Sequence, residues 1–204
     1  MSRFLEALAA FLARHGIFLT ISVLAIVLAV RRSRSFRKRM DELFDASLVP
    51  DWTDRRVSAL QDSATGNWLG HRATLRRTHN RAYTSDFIEA TLEPVGPGRF
   101  VIERRDVSVL HRSLWIGGPP PFTLVNPDDE ARFRVRSADR TPDRLLASVT
   151  ARSALLECLR EPANQVSLKE GRLRVYRMLS TQEPVAPIVR QTWVALKEMA
   201  GVLG

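Results

Sequence analysis

"DFIEATLEPVGPGRFVIERRDV", residues 86–107, sets the fold reading of this chain. Ile88, Ala90 and Leu92 alternate with Glu89, Thr91 and Glu93, the period-two pattern of a half-buried antiparallel strand. "PVGPG" has the composition of a turn. "RFVIERRDV" (99–107) then resumes an extended pattern, and "HRATLRRTH" (71–79) precedes both. The three segments predict an antiparallel meander. Upstream, residues 52–66 fit a short helix or an entering strand equally well. "IGGPPPF" (116–122) reads as a stiff connection, polyproline recognition being the less economical reading.

Downstream the grammar changes. "ARFRVRSA" (131–138) alternates strictly and predicts a strand. Thr141 and Pro142 have the chemistry of an N-cap and first helical residue. Leu145, Leu146, Val149, Leu155, Leu156 and Leu159 continue at helical spacing until Pro162. "QVSLKEGRLRVYRML" (165–179) predicts a hairpin turning at Glu170-Gly171. Pro184 and Pro187 open a last helix with an apolar stripe of Ile188, Trp193, Leu196, Ala200 and Leu203. The expected fold class is α+β, an antiparallel sheet with helices packed on one face.

The order in "DDEARFRVRSADRTPDRLLASVTARSALLECL", followed by "VSLKEGRLRV" and a terminal helix, carries a resemblance. Asp-x-x-x-Phe-x-Val before a Leu-Leu helix, then a glycine-bearing hairpin, resembles a C-terminal module of uncharacterised bacterial single-pass membrane-anchored proteins. The resemblance covers residues 128–203. It implies an α+β domain of unknown function and carries over no activity and no site residues.

The N-terminal part reads differently. "GIFLTISVLAIVLAV" (16–30) has no charge. Fifteen helical residues rise roughly 22 Å against a hydrocarbon core of ~30 Å, and starting at Phe11 supplies the missing length. A cleaved signal peptide places its cations before the apolar run, whereas here they follow. The expectation is a transmembrane helix over about 11–30 within an N-terminal segment 1–30. A basic juxtamembrane helix or linker (31–50) and a soluble domain (51–204) come after it. Arg31, Arg32, Arg34, Arg37, Lys38 and Arg39 would fix the topology and meet anionic lipid headgroups. That places the N-terminus outside a bacterial inner membrane and the domain in the cytoplasm.

The formal net charge is +9 in 204 residues. Residues 1–30 contribute +1, residues 31–40 contribute +6, and residues 41–204 only +2. A nucleic-acid-binding domain concentrates its basic charge in the fold itself, so this distribution argues against one. Cys158 is the only cysteine, so no internal disulfide forms.

Catalytic patterns are missing from the sequence. No phosphate-cradling glycine loop, G-x-G-x-x-G, H-E-x-x-H or G-x-S-x-G occurs, and no cofactor is implied. His71 and His79 lie eight residues apart on one expected strand, too far to share a metal. Asp128, Asp129 and Glu130 read as a solvated acidic loop before a weak divalent site. Cys158, among leucines, reads as a small buried hydrophobe. Trp193 belongs to a core face, and Trp68 and Trp115 fit core packing better than partner anchors.

One surface is defined by period two. In "RFRVR" Arg132, Arg134 and Arg136 oppose Phe133 and Val135, and in "RLRV" Arg172 and Arg174 oppose Leu173 and Val175. The five arginines form a candidate anion-binding face, offset either by Glu89 and Glu93 of the meander or by an external anion. The function expected is a membrane-anchored interaction domain that binds a protein partner or itself. The alternative is a membrane-recruited binder of anionic lipid or nucleic acid, and an enzyme is the third class.

Overall fold

The computed structural model describes residues 51–57, 61–80, 85–105, 118–160, 164–179 and 185–204, with positions 23, 24, 27, 41, 44, 45 and 47–49 before them. Two compact units separate at Met1–Glu42 and Leu43–Gly204. The described positions of the first, Val23, Leu24, Val27 and Asp41, are helical.

The second unit is built on one antiparallel sheet of nine strands. In chain order these are β1 (Asp51–Val57), β2 (Gln61–Trp68), β3 (His71–Asn80), β4 (Ser85–Glu93), β5 (Phe100–Arg104), β6 (Pro121–Phe122), β7 (Phe133–Ser137), β8 (Gln165–Lys169) and β9 (Arg172–Leu179). The helices are α1 (Pro127–Arg132), α2 (Thr141–Ala147), α3 (Val149–Cys158) and α4 (Val185–Leu203). The spatial order is β1-β2-β3-β4-β9-β8-β5-β7-β6. The meander runs through β1–β4 but does not continue into β5 as expected: β4 meets the late hairpin β8–β9, and β5 with β7 joins on the far side of it.

Two further expectations are corrected. The described fold is mostly sheet, nine antiparallel strands with four helices, rather than the expected α+β arrangement, because the ambiguous residues 52–66 belong to the hairpin β1–β2. The transmembrane helix is the second. Among the described residues no helix is long and apolar enough to cross a membrane. The physical reason lies in α4, the long described helix, which is amphipathic: it buries one stripe, and Arg190, Gln191 and Lys197 stand exposed on the other side. Most of segment 11–30, and all of Arg31, Arg32, Arg34, Arg37, Lys38 and Arg39, lie outside the described residues. The single-pass architecture and the bacterial inner-membrane placement rested on that helix and are withdrawn with it.

The core lies between one sheet face and the helices. Leu75, Ile88, Ala90, Leu92, Ile102, Val166, Leu173 and Val175 point into it from the strands, and Leu145, Leu155, Val189, Trp193 and Leu196 from the helices. At the β1–β2 end the core is aromatic. The Trp193 ring sits 5.5 Å from Trp68 and 5.8 Å from Trp52, and Phe44 lies 5.7 Å beyond Trp52. β1 reaches this cluster through a bulge between Trp52 and Asp54. Gly66, opposite Trp52, has no alternative there, because a Cβ would sit 2.3 Å from the Asp51 carbonyl oxygen.

Local chemistry explains the other boundaries. The hairpin β8–β9 turns through Glu170 (φ 54) and Gly171 (φ 72), both left-handed, as a tight two-residue turn requires. The helical stretch expected after Thr141 breaks at Ser148. Its extended backbone ends α2, and its hydroxyl accepts from the Ala151 amide to start α3. Asn164 then closes α3, donating to the Cys158 carbonyl at 2.7 Å and accepting from the Met178 amide at 2.9 Å.

Candidate binding face

Register decides which side chains share the outer surface of the sheet. On β9, Leu173, Val175, Arg177 and Leu179 are buried toward the helices, so Arg172, Arg174, Tyr176 and Met178 face the other way. β4 pairs antiparallel with β9, setting Thr91 opposite Arg174, Glu89 opposite Tyr176 and Phe87 opposite Met178. On β3, Arg72 stands opposite Glu93 and Arg76 opposite Glu89. On the far side, Ser167 of β8 stands opposite Arg174, and Arg134 of β7 opposite Glu103 of β5. β3, β9 and β7 therefore add columns of arginines to the face, and β4 adds a column of glutamates.

The columns are paired across strands. Glu93 lies between Arg172, 2.5 Å away, and Arg72, 3.8 Å away. Glu89 lies between Arg174 at 3.6 Å and Arg76 at 3.9 Å. These side chains are partly exposed, and each such pair is worth about 0.2–1 kcal/mol. Glu103 differs: its carboxylate is buried and takes a 3.2 Å bond from Arg134. Arg174 Nε also donates to Ser167 Oγ at 3.3 Å, and Arg136 Nε donates to the Pro119 carbonyl.

An apolar island interrupts the lattice. Phe87 and Tyr176 stack with centroids 5.2 Å apart and planes 17° apart, beside Met178. Burial, and then the Glu89 carboxylate opposite, push the Tyr176 phenol up to about 12, while Arg174 works the other way. The phenol thus stays neutral and able to donate throughout the ordinary pH range.

Four of the five arginines singled out from the sequence, Arg134, Arg136, Arg172 and Arg174, lie on this face. Arg132 does not. It ends α1, since the helix takes residues that alternation had assigned to a strand. Asn126 caps α1 by accepting from the Asp128 amide, and Pro127 opens it. The acidic triplet is therefore the first turn of a helix, where negative charge is favourable. Within it, buried Asp129 binds Arg152 at 2.6 Å and Glu130 binds Arg105 at 2.5 Å. Glu103 was missed by sequence reasoning. Its signal was present, an acidic residue alternating against Phe100 and Ile102.

The remaining candidates are placed as follows. His71 Nδ1 lies 2.5 Å from the Pro94 carbonyl oxygen. Cys158 is fully buried, and burial pushes its thiol up to about 12. Trp68 lines the core, and Trp115 lies outside the described residues. Among the described residues no group of three or more His, Cys, Asp or Glu side chains could hold a metal ion. On the helix side, buried Arg77 is held by Asp86, and buried Arg177 donates to Thr192 Oγ1 at 3.3 Å. No protein-family model, curated protein or solved structure matches this chain.

Proposed function

We propose that the Leu43–Gly204 unit is a binding module that engages an acidic protein partner through the outer sheet face. The Phe87–Tyr176 stack within the paired charge columns supports this reading best. Protein interfaces concentrate binding energy in a few aromatic anchors ringed by polar groups, and this face has that composition. Cations outnumber carboxylates on β3, β4, β9, β8, β5 and β7, so complementarity favours an acidic surface. A second copy would present the same excess and be repelled. Phosphate backbones would have to compete with Glu89, Glu93 and Glu103 for guanidiniums already engaged, which ranks nucleic acid lower.

The test is comparative capture from a lysate with the full chain, the Phe87→Ala/Tyr176→Ala variant, and Val194→Ala on the exposed side of α4. The expected result is a protein retained by wild type and Val194→Ala but lost by the face variant, then reproduced with the purified partner. Identical sets captured by all three variants overturn the reading.

A further inference from the structure

A second, unrelated feature lies on the helix side, where β5 ends and β7 begins. Antiparallel pairing puts Arg104 opposite Phe133. The next residue, Arg105, donates its amide to the Arg132 carbonyl at 3.0 Å. α3 ends beside them, and Arg104 Nη1 binds the Arg160 carbonyl at 2.6 Å, the usual place for a cation at a helix C-terminus. A cavity of about 590 Å³ opens there, with Arg104, Arg105, Arg132 and Arg160 around it and Phe133 and Leu159 among its walls.

Among the described residues its charge is unbalanced. Glu130 neutralises Arg105, and Arg104 is engaged at the end of α3. Arg132 and Arg160 have no carboxylate partner among the described residues, and Glu157, one turn back on α3, does not line the cavity. The C-terminal end of α3 contributes about half a negative charge, too little to offset two guanidiniums. Phe133 and Leu159 are almost fully buried, so the cavity joins an apolar floor to a cationic rim. Its volume suits a small molecule, and arginine's planar fork suits carboxylate or phosphate oxygens.

We propose that this cavity binds a small organic anion, a carboxylate or phosphate attached to an apolar body, with Arg132 and Arg160 on the anionic group and Phe133 and Leu159 under the apolar part. The proposal goes beyond the partner-binding reading, because the cavity lies on the opposite side of the sheet from the Phe87–Tyr176 stack.

The test is calorimetric titration of the full chain with octanoate, octyl phosphate, inorganic phosphate, octanol and octyltrimethylammonium, all below micellar concentration. Octanoate or octyl phosphate should bind saturably, the stronger of the two identifying the anionic group, and more weakly as salt is raised. Arg132→Gln/Arg160→Gln should weaken that binding about tenfold or more, the loss of a charge-assisted bond. Lys197→Gln, on the exposed side of α4 and outside both sites, should leave it unchanged. Both altered arginines are exposed, and circular dichroism verifies the fold; the salt dependence of wild type tests the rim without any variant. No saturable binding of either organic anion, equal binding of octanol or the cationic amphiphile, or indifference to both salt and the double variant overturns the proposal.

Discussion

Trp193 is the largest fully buried side chain among the described residues, and truncating it sets a quantitative test. It is fully buried, and its ring touches both Trp52 and Trp68. A buried aromatic side chain removes roughly 200 Å² from water, worth about 5 kcal/mol at 25 cal/mol per Å². Residual burial in the unfolded chain lowers that figure. One term opposes it: the Trp193 indole N–H has no hydrogen-bond partner among the described residues, and a buried unsatisfied donor costs about 1–3 kcal/mol. Trp193→Ala removes both contributions and leaves a cavity, for a net loss of about 3–4 kcal/mol. Trp193→Phe removes the unpaired donor while keeping an aromatic ring, so its loss should be about 1 kcal/mol. At about 2–4 °C per kcal/mol for a unit of this size, the alanine variant should melt about 6–16 °C lower and the phenylalanine variant only a few degrees lower. Thermal unfolding followed by circular dichroism measures both. Equal losses from the two substitutions, or an alanine variant that melts like wild type, would refute the reasoning.

Three further outcomes follow from particular groups. Arg134→Ala removes one charged bond from buried Glu103 and should cost about 2 kcal/mol, whereas exposed Arg172→Ala should cost under about 1 kcal/mol; urea midpoints compare them. The Cys158 thiol should resist alkylation at neutral pH until the protein unfolds. Because its folded pKa of about 12 lies above the 9.0 of a free thiol, its contribution to stability is complete below pH 9.0 and is lost as the pH rises toward 12, so Cys158→Ala should flatten the alkaline fall in urea midpoint. Glu89→Gln removes the carboxylate opposite Tyr176 and should lower the phenol's pKa from about 12, seen as an earlier second transition when the two tyrosines are titrated by ultraviolet absorbance.

Much of the strand content was legible because alternation is a local signal: β3, β4, β8 and β9 stand within a residue or so of the segments that announced them. Other parts failed for identifiable reasons. At α1 two local signals overlap, a capping sequence Asn126-Pro127 with three acidic residues after it and an alternating run from Ala131. The helix wins through Arg132, because Asn126, Asp129 and Glu130 all have their bonds satisfied in it. Ser148 looked like one more polar residue in a continuous helix, yet its hydroxyl starts a new one. In the hydropathy of residues 11–30 the signal was composition alone, and no described helix bears it out. The placement of the arginines depended on which strands are neighbours, and that is a long-range property that no window of sequence contains.

That strand order resolves the crowding the sequence seemed to impose. Arg134 and Arg136 on β7 and Arg172 and Arg174 on β9 would repel as adjacent columns. The fold inserts β8 and β5 between them, with Gln165, Ser167 and Lys169 on one and buried Glu103 on the other. On the opposite flank β4 brings Glu89 and Glu93 between the arginines of β9 and those of β3. Alternation of sign across β3, β4 and β9, and across β5 and β7, offsets much of the repulsion on an arginine-rich face. The logic holds only within the ladder. Arg132, one residue before β7, and Arg160, just beyond α3, lie outside it and have no facing carboxylate column among the described residues. Among the described residues the uncompensated charge therefore collects where the ladder stops, at the rim of the cavity, which is where the proposed organic anion would bind.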